Sequence, residues 1–302
     1  MFDIIIVGGG PAGLTASIYA LRAKKKVLLI EGNSIGGQIA SSPRVDNFPG
    51  FKSISGAELG ERLFDQATEL GLEFEFANVI AVSQNNNSNI IQTDNGVFES
   101  KAIIVATGAK HRHLGVENEE KLIGNGVGYC VVCDGEFYSG KDVAVVGGGN
   151  SALQSAIYLS NICKSVTILQ NLDFLTGEES LIDEVASKDN VSTRLGVVVS
   201  KLIGEEALEQ VEISDKNNAR EIINVDGLFV SIGQVPQNEI FKNLVELDDR
   251  GYIIASENCV TSNESIFVAG DCRTKNIRQV TTAVADGTVA SIAACSYIDN
   301  KK

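Results

Sequence analysis

The chain has 302 residues, of which 44% are hydrophobic and only four are proline. This length fits two globular domains, and the composition excludes a largely disordered protein. The net charge of −14 makes nucleic acid and anionic membranes poor partners. No apolar run approaches the roughly 18–20 residues of a membrane span. The N-terminus shows no signal-peptide pattern, so we expect a cytoplasmic protein.

The first predicted unit, residues 4–32, consists of a strand, a glycine turn, an amphipathic helix and a second strand. Gly8 permits the tight turn, Gly10 lets a pyrophosphate approach the backbone, and Gly13 lets helix and strand pack closely. The free N–H groups of the helix N-terminus favour phosphate. Glu31 ends the second strand, where a carboxylate can accept hydrogen bonds from a ribose. The unit predicts a dinucleotide site, although such turns also join strands to helices for steric reasons alone.

A Cys-x-x-Cys motif follows at Cys130 and Cys133, with Asp134 directly after it. Such a motif is either half of a zinc site or a redox-active dithiol. Zinc would need a second close pair, and the cysteines at 163, 259, 272 and 295 are single and distant. We therefore predict a redox pair, no metal, and a role for Asp134 in carrying the proton that thiol exchange moves. Asp134 also fits a plain turn before Gly135.

Residues 143–171 repeat the first unit at a constant offset of 139 residues. The glycine turn is retained, with Ala152 in place of the third glycine. Gln170 stands at the position of Glu31, so this copy has no carboxylate for a ribose and no arginine behind it for a 2′-phosphate. We expect a retained fold with a lost or weakened nucleotide site. The two copies predict an α/β fold with two doubly wound, three-layer, Rossmann-like domains.

Several motifs follow one another in a fixed order along the chain: the first glycine turn, Gly36-Gly37-Gln38, Asp46-Asn47-Phe48-Pro49-Gly50, Ala106-Thr107-Gly108, the Cys-x-x-Cys-Asp motif, Ala269-Gly270-Asp271 and Arg278-Gln279-Val280. With these motifs, nearly the whole chain resembles the low-molecular-weight thioredoxin reductases. The resemblance implies a discontinuous FAD-binding domain at residues 1–114 and 238–302. A central domain at residues 115–237, with the disulfide and a degenerate pyridine-nucleotide-type fold, is inserted between them. It also implies a homodimer.

The resemblance assigns roles to individual residues. The ADP half of FAD would contact Gly8, Gly10, Ala12, Gly13 and Glu31, with Val79 at the adenine. The flavin half would be approached by Gly37, Gln38, Asn47, Thr107 and Gly108. Asp271 would bind the ribityl chain, and the isoalloxazine edge would meet Arg278, Gln279 and Val280. Cys130 and Cys133 would take electrons from FAD and pass them to thioredoxin.

The chain departs from the NADPH-dependent members of the family in its central domain. Those members carry a histidine and arginines after the second strand, whereas residues 170–176 here contain no cation. A glutamate just inside the preceding helix is replaced by Gln154-Ser155. Residues 115–236 hold 19 acidic and 8 basic side chains, a net charge of −11, which suits an anionic dinucleotide poorly. The pattern resembles the ferredoxin-dependent flavin thioredoxin reductases, so we expect ferredoxin as the electron donor.

The energetics permit this donor. Low-potential ferredoxins lie near −400 mV and thioredoxin near −270 mV, and two electrons over roughly 130 mV release about 6 kcal/mol. Ferredoxin delivers one electron at a time and a disulfide takes two, a mismatch that a flavin can bridge. Because such ferredoxins are acidic, we expect a basic docking surface. Arg273 and Lys275, close in sequence to the flavin-side motifs, are the main candidates. The run Lys24-Lys25-Lys26 fits docking and a solvated helix end equally.

Two alternatives remain open from the sequence. One is the same reductase driven by NADH or NADPH, with Asp173 supplying a ribose contact. The other is a flavoprotein disulfide reductase with a different protein partner. His111 and His113, on either side of Arg112, fit a solvated loop better than a catalytic site.

Overall fold

The computed structural model describes residues 1–42, 45–85 and 88–301. The strands are β1 (Phe2–Val7), β2 (Val27–Glu31), β3 (Glu73–Phe76), β4 (Val79–Gln84), β5 (Asn89–Thr93), β6 (Val97–Val105), β7 (Ala109–His111), β8 (Val127–Gly128), β9 (Asp142–Val146), β10 (Ser165–Gln170), β11 (Val191–Leu195), β12 (Val197–Ile203), β13 (Gln210–Asp215), β14 (Arg220–Asn224), β15 (Gly227–Val230), β16 (Gln234–Pro236) and β17 (Ile266–Val268). The α-helices are α1 (Pro11–Arg22), α2 (Gly56–Glu69), α3 (Glu119–Leu122), α4 (Val131–Asp134), α5 (Asn150–Ser160), α6 (Glu179–Ala186) and α7 (Val280–Asn300).

The chain forms two compact units. Unit 1 comprises Met1–Lys110 and Val235–Lys302, and unit 2 comprises His111–Gln234. The chain therefore passes between the units at 110/111 and 234/235, whereas the sequence predicts 114/115 and 237/238. The difference arises because the passages lie within β7 and β16, which pair as a two-stranded ribbon.

Unit 1 contains a seven-stranded sheet in the order β3-β2-β1-β6-β5-β4, with β17 also paired to β6. Strands β3, β2, β1, β6 and β17 run parallel, while β4 and β5 form an antiparallel arm on β6. Strands β1 and β2 are almost continuous apolar runs because both faces of the sheet are covered. Side chains from α1 and α7 pack on one face, and the other face carries a second buried cluster that includes Ile91 of the arm.

Unit 2 contains a parallel sheet in the order β11-β10-β9-β15-β8 and an antiparallel sheet in the order β12-β13-β14. One face of the parallel sheet packs on α5 and α6 through Leu153, Ala156 and Val185. The other face packs on the antiparallel sheet through Leu202, Val211 and Ile213. The two units thus have the predicted α/β, doubly wound, Rossmann-like fold, and the third layer of unit 2 is an antiparallel sheet.

None of the helices described is long and apolar enough to cross a membrane.

Candidate active site

The glycine turn of unit 1 joins β1 to α1 and forms the floor of a cleft. Gly8 has φ +114, and a Cβ there would lie 2.2 Å from the carbonyl oxygen of Ala106. A Cβ on Gly13 would lie 1.9 Å from the Gly8 oxygen. Both positions therefore require glycine so that the helix can begin directly against the strand. Pro11 is the first residue of α1 and has no N–H to satisfy there.

Glu31 ends β2 beside this turn. Its Oε2 accepts a hydrogen bond from the Gly9 N–H at 2.6 Å, and its Oε1 accepts one from the Asn33 N–H at 2.7 Å. The carboxylate is thus fixed at the carboxyl edge of the sheet. An anchored acceptor in this position is what the hydroxyls of an adenosine ribose require.

Two cavities of about 660 and 340 Å³ extend from the turn, and both lie in unit 1. Five residues line both of them: Gly8, Glu31, Asn33, Thr107 and Lys110. Twelve of the fifteen residues predicted to contact FAD line one cavity or both: Gly8, Gly10, Ala12, Glu31, Gly37, Gln38, Val79, Thr107, Gly108, Asp271, Gln279 and Val280. The structure therefore brings together motifs that lie up to about 270 residues apart in the sequence.

The other three predicted residues do not line these cavities. Gly13 lies beneath the turn, where it allows the close packing described above. The exposed Asn47 amide donates to Oε1 of the lining residue Gln279 at 3.3 Å. The guanidinium of Arg278 stacks at 4.3 Å on the ring of Tyr252 and donates to the Asp271 carbonyl at 3.3 Å. These residues support the lining residues.

Cys130 and Cys133 form a disulfide in unit 2, with Cα atoms 5.2 Å apart. Cys130 is the N-cap of the single-turn helix α4, and Cys133 is its third residue. Both cysteines are half-buried, and Val132 between them is exposed. The sulfurs are bonded to each other, as expected of a redox pair and not of a zinc half-site. Among the residues described, no group of three or more His, Cys, Asp or Glu side chains is arranged to hold a metal ion.

Asp134 is the last residue of the same helical turn. Burial raises its pKa to about 6, well above the usual value for an aspartate. One carboxylate oxygen approaches Gly128, where an added Cβ would lie 3.3 Å away. A carboxyl group that titrates near pH 6 can both donate and accept protons at neutral pH.

Comparison with known proteins identifies the family. The model of the pyridine nucleotide-disulphide oxidoreductase family matches residues 2–287. A thioredoxin reductase of Listeria monocytogenes is 36% identical over 304 residues, covering 100% of this chain and 95% of that protein. The chain belongs to the low-molecular-weight thioredoxin reductases. A 34.2 kDa protein in the rubredoxin operon of Clostridium pasteurianum is 42% identical over 301 residues, covering 99% of this chain and 98% of that protein. The crystal structure of thioredoxin reductase from Streptococcus pyogenes matches with a TM-score of 0.95 and 36% identity, covering 99% of each chain.

Members of this family are flavoproteins, and the cofactor is FAD. Two features of the unit 1 cleft fit it. Asp271 Oδ1 is buried with no hydrogen-bond partner in the described part of the chain, and burial raises the pKa of this carboxyl group. A ribityl hydroxyl is the kind of donor that satisfies such an oxygen. At Gly10 an added Cβ would meet nothing closer than the Gly36 oxygen at 4.0 Å, so the turn leaves room for a pyrophosphate against its backbone.

The prediction that Arg273 and Lys275 form a docking surface is wrong. Arg273 is 1% exposed and donates to the two carboxylate oxygens of Asp286 at 2.9 and 2.8 Å. Lys275 Nζ lies 2.9 Å from Asp286 Oδ2. The two cations turn inward because a carboxylate buried on α7 needs their charge. In the Lys24–Lys26 run, Lys25 is likewise buried and pairs with Asp299 at 2.6 Å.

The second glycine turn, in unit 2, has lost the acid that Glu31 provides in unit 1. Gln170 is buried, its Nε2 donates to the Phe174 oxygen at 3.2 Å, and its Oε1 accepts from the Asn171 N–H at 3.1 Å. Both polar ends of the side chain are thus used within its own loop. Asp173, the alternative ribose contact, is exposed and lies 3.4 Å from Lys216 Nζ.

Sequence reasoning missed several residues of the cleft. Lys110 lines both cavities and follows the Thr107-Gly108 motif by two residues, a proximity that could have revealed it. Arg250 and Ile240 line the larger cavity but come from a segment that carries no motif. In unit 2, the buried carboxylate of Glu119 was also missed, because nothing in the local sequence marks it.

Proposed function

We propose that this protein is a thioredoxin reductase in which the Cys130–Cys133 disulfide would accept two electrons from a bound, reduced flavin, and the resulting dithiol would reduce thioredoxin. The observation that carries this proposal is the disulfide itself. A half-buried pair within one helical turn, beside a carboxyl group of raised pKa, suits thiol exchange better than structural cross-linking. The relatives that are named thioredoxin reductases support the choice of partner.

Each turnover would move two electrons and two protons through the Cys130–Cys133 pair. Reduction breaks the S–S bond, consumes two electrons and two protons, and gives two thiols. The thiolate of one cysteine then attacks the thioredoxin disulfide and forms a mixed disulfide. The second cysteine resolves it, so that the Cys130–Cys133 disulfide forms again and thioredoxin receives both electrons. Bound FAD supplies the conversion between single-electron and two-electron transfer. Asp134 supplies and accepts protons, because it lies in the same turn and titrates near neutral pH.

We assign the unit 1 cleft to FAD residue by residue. The N–H groups at the Gly8–Gly13 turn and the N-terminus of α1 would hold the pyrophosphate. Glu31 would accept from the adenosine ribose, and Asp271 Oδ1 from the ribityl chain. The larger cavity, which Val79 lines, suits the adenosine half, and the smaller one suits the flavin half.

We propose reduced ferredoxin as the electron donor. The support comes from the second glycine turn, in unit 2. Residues 170–176 contain no cation there, and the Gln170 amide forms its hydrogen bonds within its own loop. A 2′-phosphate therefore meets no arginine or lysine in this stretch. The net charge of −11 over residues 115–236 would also repel an anionic dinucleotide.

A second candidate is the same reductase driven by NADPH or NADH. The observation that favours it is the retained turn of unit 2, in which Gly147 has φ +127 and α5 begins directly after Gly149. This turn keeps the geometry of a dinucleotide fold even though the acid is lost. The two candidates differ in which donor reduces the flavin.

Anaerobic stopped-flow spectroscopy separates them. Oxidised holoprotein is mixed in turn with reduced ferredoxin, NADPH and NADH, and the flavin absorbance is followed. We expect fast bleaching with ferredoxin only. The double variant Asn171→Arg, Leu172→Arg places two cations where a 2′-phosphate would lie. It should therefore introduce measurable reduction of the flavin by NADPH. Bleaching of the wild-type flavin by NADPH at the ferredoxin rate would contradict the ferredoxin proposal and leave the thioredoxin reductase proposal intact.

We also expect a homodimer located in the cytoplasm, on the basis of the family resemblance. Sedimentation of the holoprotein at micromolar concentration gives its mass. A mass of one chain would contradict the dimer.

A further inference from the structure

A buried carboxylate in unit 2, Glu119, is linked to the redox pair through Tyr129, the residue before Cys130. It is the first residue of α3, is 3% exposed, and accepts three hydrogen bonds. The N–H groups of Leu114 and Gly115 donate to Oε1 and Oε2, each at 2.8 Å. The Tyr129 hydroxyl donates to Oε1 at 2.7 Å. The two backbone bonds fix the carboxylate, and the carboxylate fixes the tyrosine.

The Glu119 carboxylate lacks a compensating cation among the described residues. Within the part of the chain described, no lysine, arginine or histidine forms an ion pair with it. A buried carboxylate in this situation depends on its hydrogen-bond donors alone. Loss of any one donor therefore weakens the whole arrangement.

Tyr129 connects this anchor to the chemistry, since it directly precedes Cys130 in the chain. Its ring packs against the rings of His111 and His113, with centroids 5.0 and 5.4 Å away. Burial, followed by the charge of His113, lowers the pKa of His111 to about 4, so this ring is neutral at pH 7. The tyrosine is thus held by its ring and by its hydroxyl, and the backbone on the N-terminal side of Cys130 is held with it.

We infer that Glu119 is a positioning residue for the redox disulfide and acts through Tyr129 to hold Cys130 in the geometry of the oxidised pair. The inference rests on the proposed role of Cys130 and Cys133. A disulfide is stable only within a narrow range of backbone separations, whereas two thiols tolerate many. An anchor on the Cys130 backbone therefore stabilises the oxidised state more than the reduced state and makes the reduction potential more negative.

The test compares Glu119→Gln and Tyr129→Phe with Glu120→Gln, a matched control on the neighbouring, exposed residue of the same helix. Holoprotein is equilibrated anaerobically in dithiothreitol buffers of graded ratio. The fraction of reduced Cys130 and Cys133 is then read by thiol alkylation and mass spectrometry. In each case reduction of the pair takes up two electrons and two protons from the dithiol reagent. The readout requires neither ferredoxin nor thioredoxin.

We expect Glu119→Gln and Tyr129→Phe each to raise the equilibrium ratio of dithiol to disulfide about tenfold. This corresponds to a reduction potential about 30 mV less negative than that of the wild type. Glu120→Gln should match the wild type. Because Glu119 acts through Tyr129, the double variant should shift the equilibrium no further than either single variant. Tyr129→Phe retains the ring packing, so it keeps the inference testable if Glu119→Gln fails to fold.

The inference is overturned if both variants melt at lower temperature yet titrate with the wild-type dithiol equilibrium, because the network would then be only structural. Additive shifts in the double variant would overturn the route through Tyr129. Failure of the proposed function looks different: the wild-type Cys130–Cys133 pair would then titrate normally but would not pass electrons to thioredoxin.

Discussion

The buried charge cluster around Asp286 offers a quantitative test of the fold. The Asp286 carboxylate accepts bonds from the Gly270 N–H at 3.0 Å, from Arg273 at 2.9 and 2.8 Å, and from Lys275 at 2.9 Å. The side chains of Arg273 and Lys275 are only 2% and 5% exposed. The substitution Asp286→Asn removes the buried anion that pairs with both cations and leaves Arg273 with the exposed Glu257 at 3.3 Å.

Breaking a buried ion pair in this way costs about 3–5 kcal/mol. A change of that size lowers the melting temperature of a unit this large by roughly 6–20 °C. The matched control is Glu58→Gln, which removes an exposed pair with Arg62 at 2.7 Å on α2. That pair contributes at most about 0.5 kcal/mol. Urea unfolding and thermal unfolding of the holoprotein, both followed by circular dichroism, measure the free-energy change and the melting temperature of the two variants.

The pH dependence of the unfolding free energy is a second test of Asp286. Burial alone would raise its pKa, but the hydrogen bonds from Arg273 and Lys275 outweigh burial and hold the pKa below the usual value. The ionised group therefore contributes stability that is present above the unfolded-state pKa and is lost as pH falls through the folded-state pKa. The wild type and Asp286→Asn should converge in stability at acid pH. An Asp286→Asn variant whose stability at pH 7 lies within about 1 kcal/mol of the wild type would show that this ion cluster contributes no more than an exposed pair.

Three further outcomes test the site. Because burial raises the pKa of Asp134 to about 6, the flavin-to-disulfide step should slow as pH rises through that value and its proton donor is lost. Asp134→Asn should remove this inflection and slow the step about 10²-fold. The control Glu136→Gln should keep the wild-type inflection and the wild-type rate. An unchanged pH–rate profile in Asp134→Asn would exclude Asp134 as the proton donor. Cys130→Ser and Cys133→Ser should each abolish thioredoxin reduction in a turnover assay but spare flavin reduction by the donor, and substantial turnover by either would place the working disulfide elsewhere. Glu31→Ala should weaken FAD binding about 10–100-fold in titrations of apoprotein, since it loses an acceptor of charge-assisted bonds; unchanged affinity would remove Glu31 from the site.

The fold and the first glycine turn of the cleft follow from local sequence signals, whereas the other cleft residues are predicted only through the resemblance to the thioredoxin reductases. The turns at Gly8 and Gly147 lie between apolar strands and amphipathic helices. Each strand–turn–helix–strand repeat is specified within about 30 residues of sequence. The sequence also favours redox chemistry for the Cys130–Cys133 pair, because a zinc site would need a second close pair of cysteines and the other four are single and distant. These features are short in range, so a single sequence suffices to predict them.

The features that the sequence could not predict depend on contacts between distant residues. Arg273 and Lys275 lie next to the flavin-side motif and look like surface charges, but Asp286, one element later, draws both inward. Glu119 lies in a run of acidic residues and is nevertheless buried, because Tyr129 and two backbone N–H groups supply its donors. Burial of a charge is decided by its partners, and these partners become visible only in the folded chain.

We propose that electrons reach thioredoxin from ferredoxin through FAD and Cys130–Cys133. Anaerobic turnover of oxidised thioredoxin by catalytic holoprotein, with reduced ferredoxin, NADPH or NADH as the sole donor, tests this route from end to end. We expect ferredoxin to support continuous formation of reduced thioredoxin, with two ferredoxins oxidised for each disulfide reduced. With NADPH or NADH, reduced thioredoxin should form no faster than in the absence of the protein. Turnover with NADPH that equals or exceeds turnover with ferredoxin would exclude ferredoxin as the preferred donor.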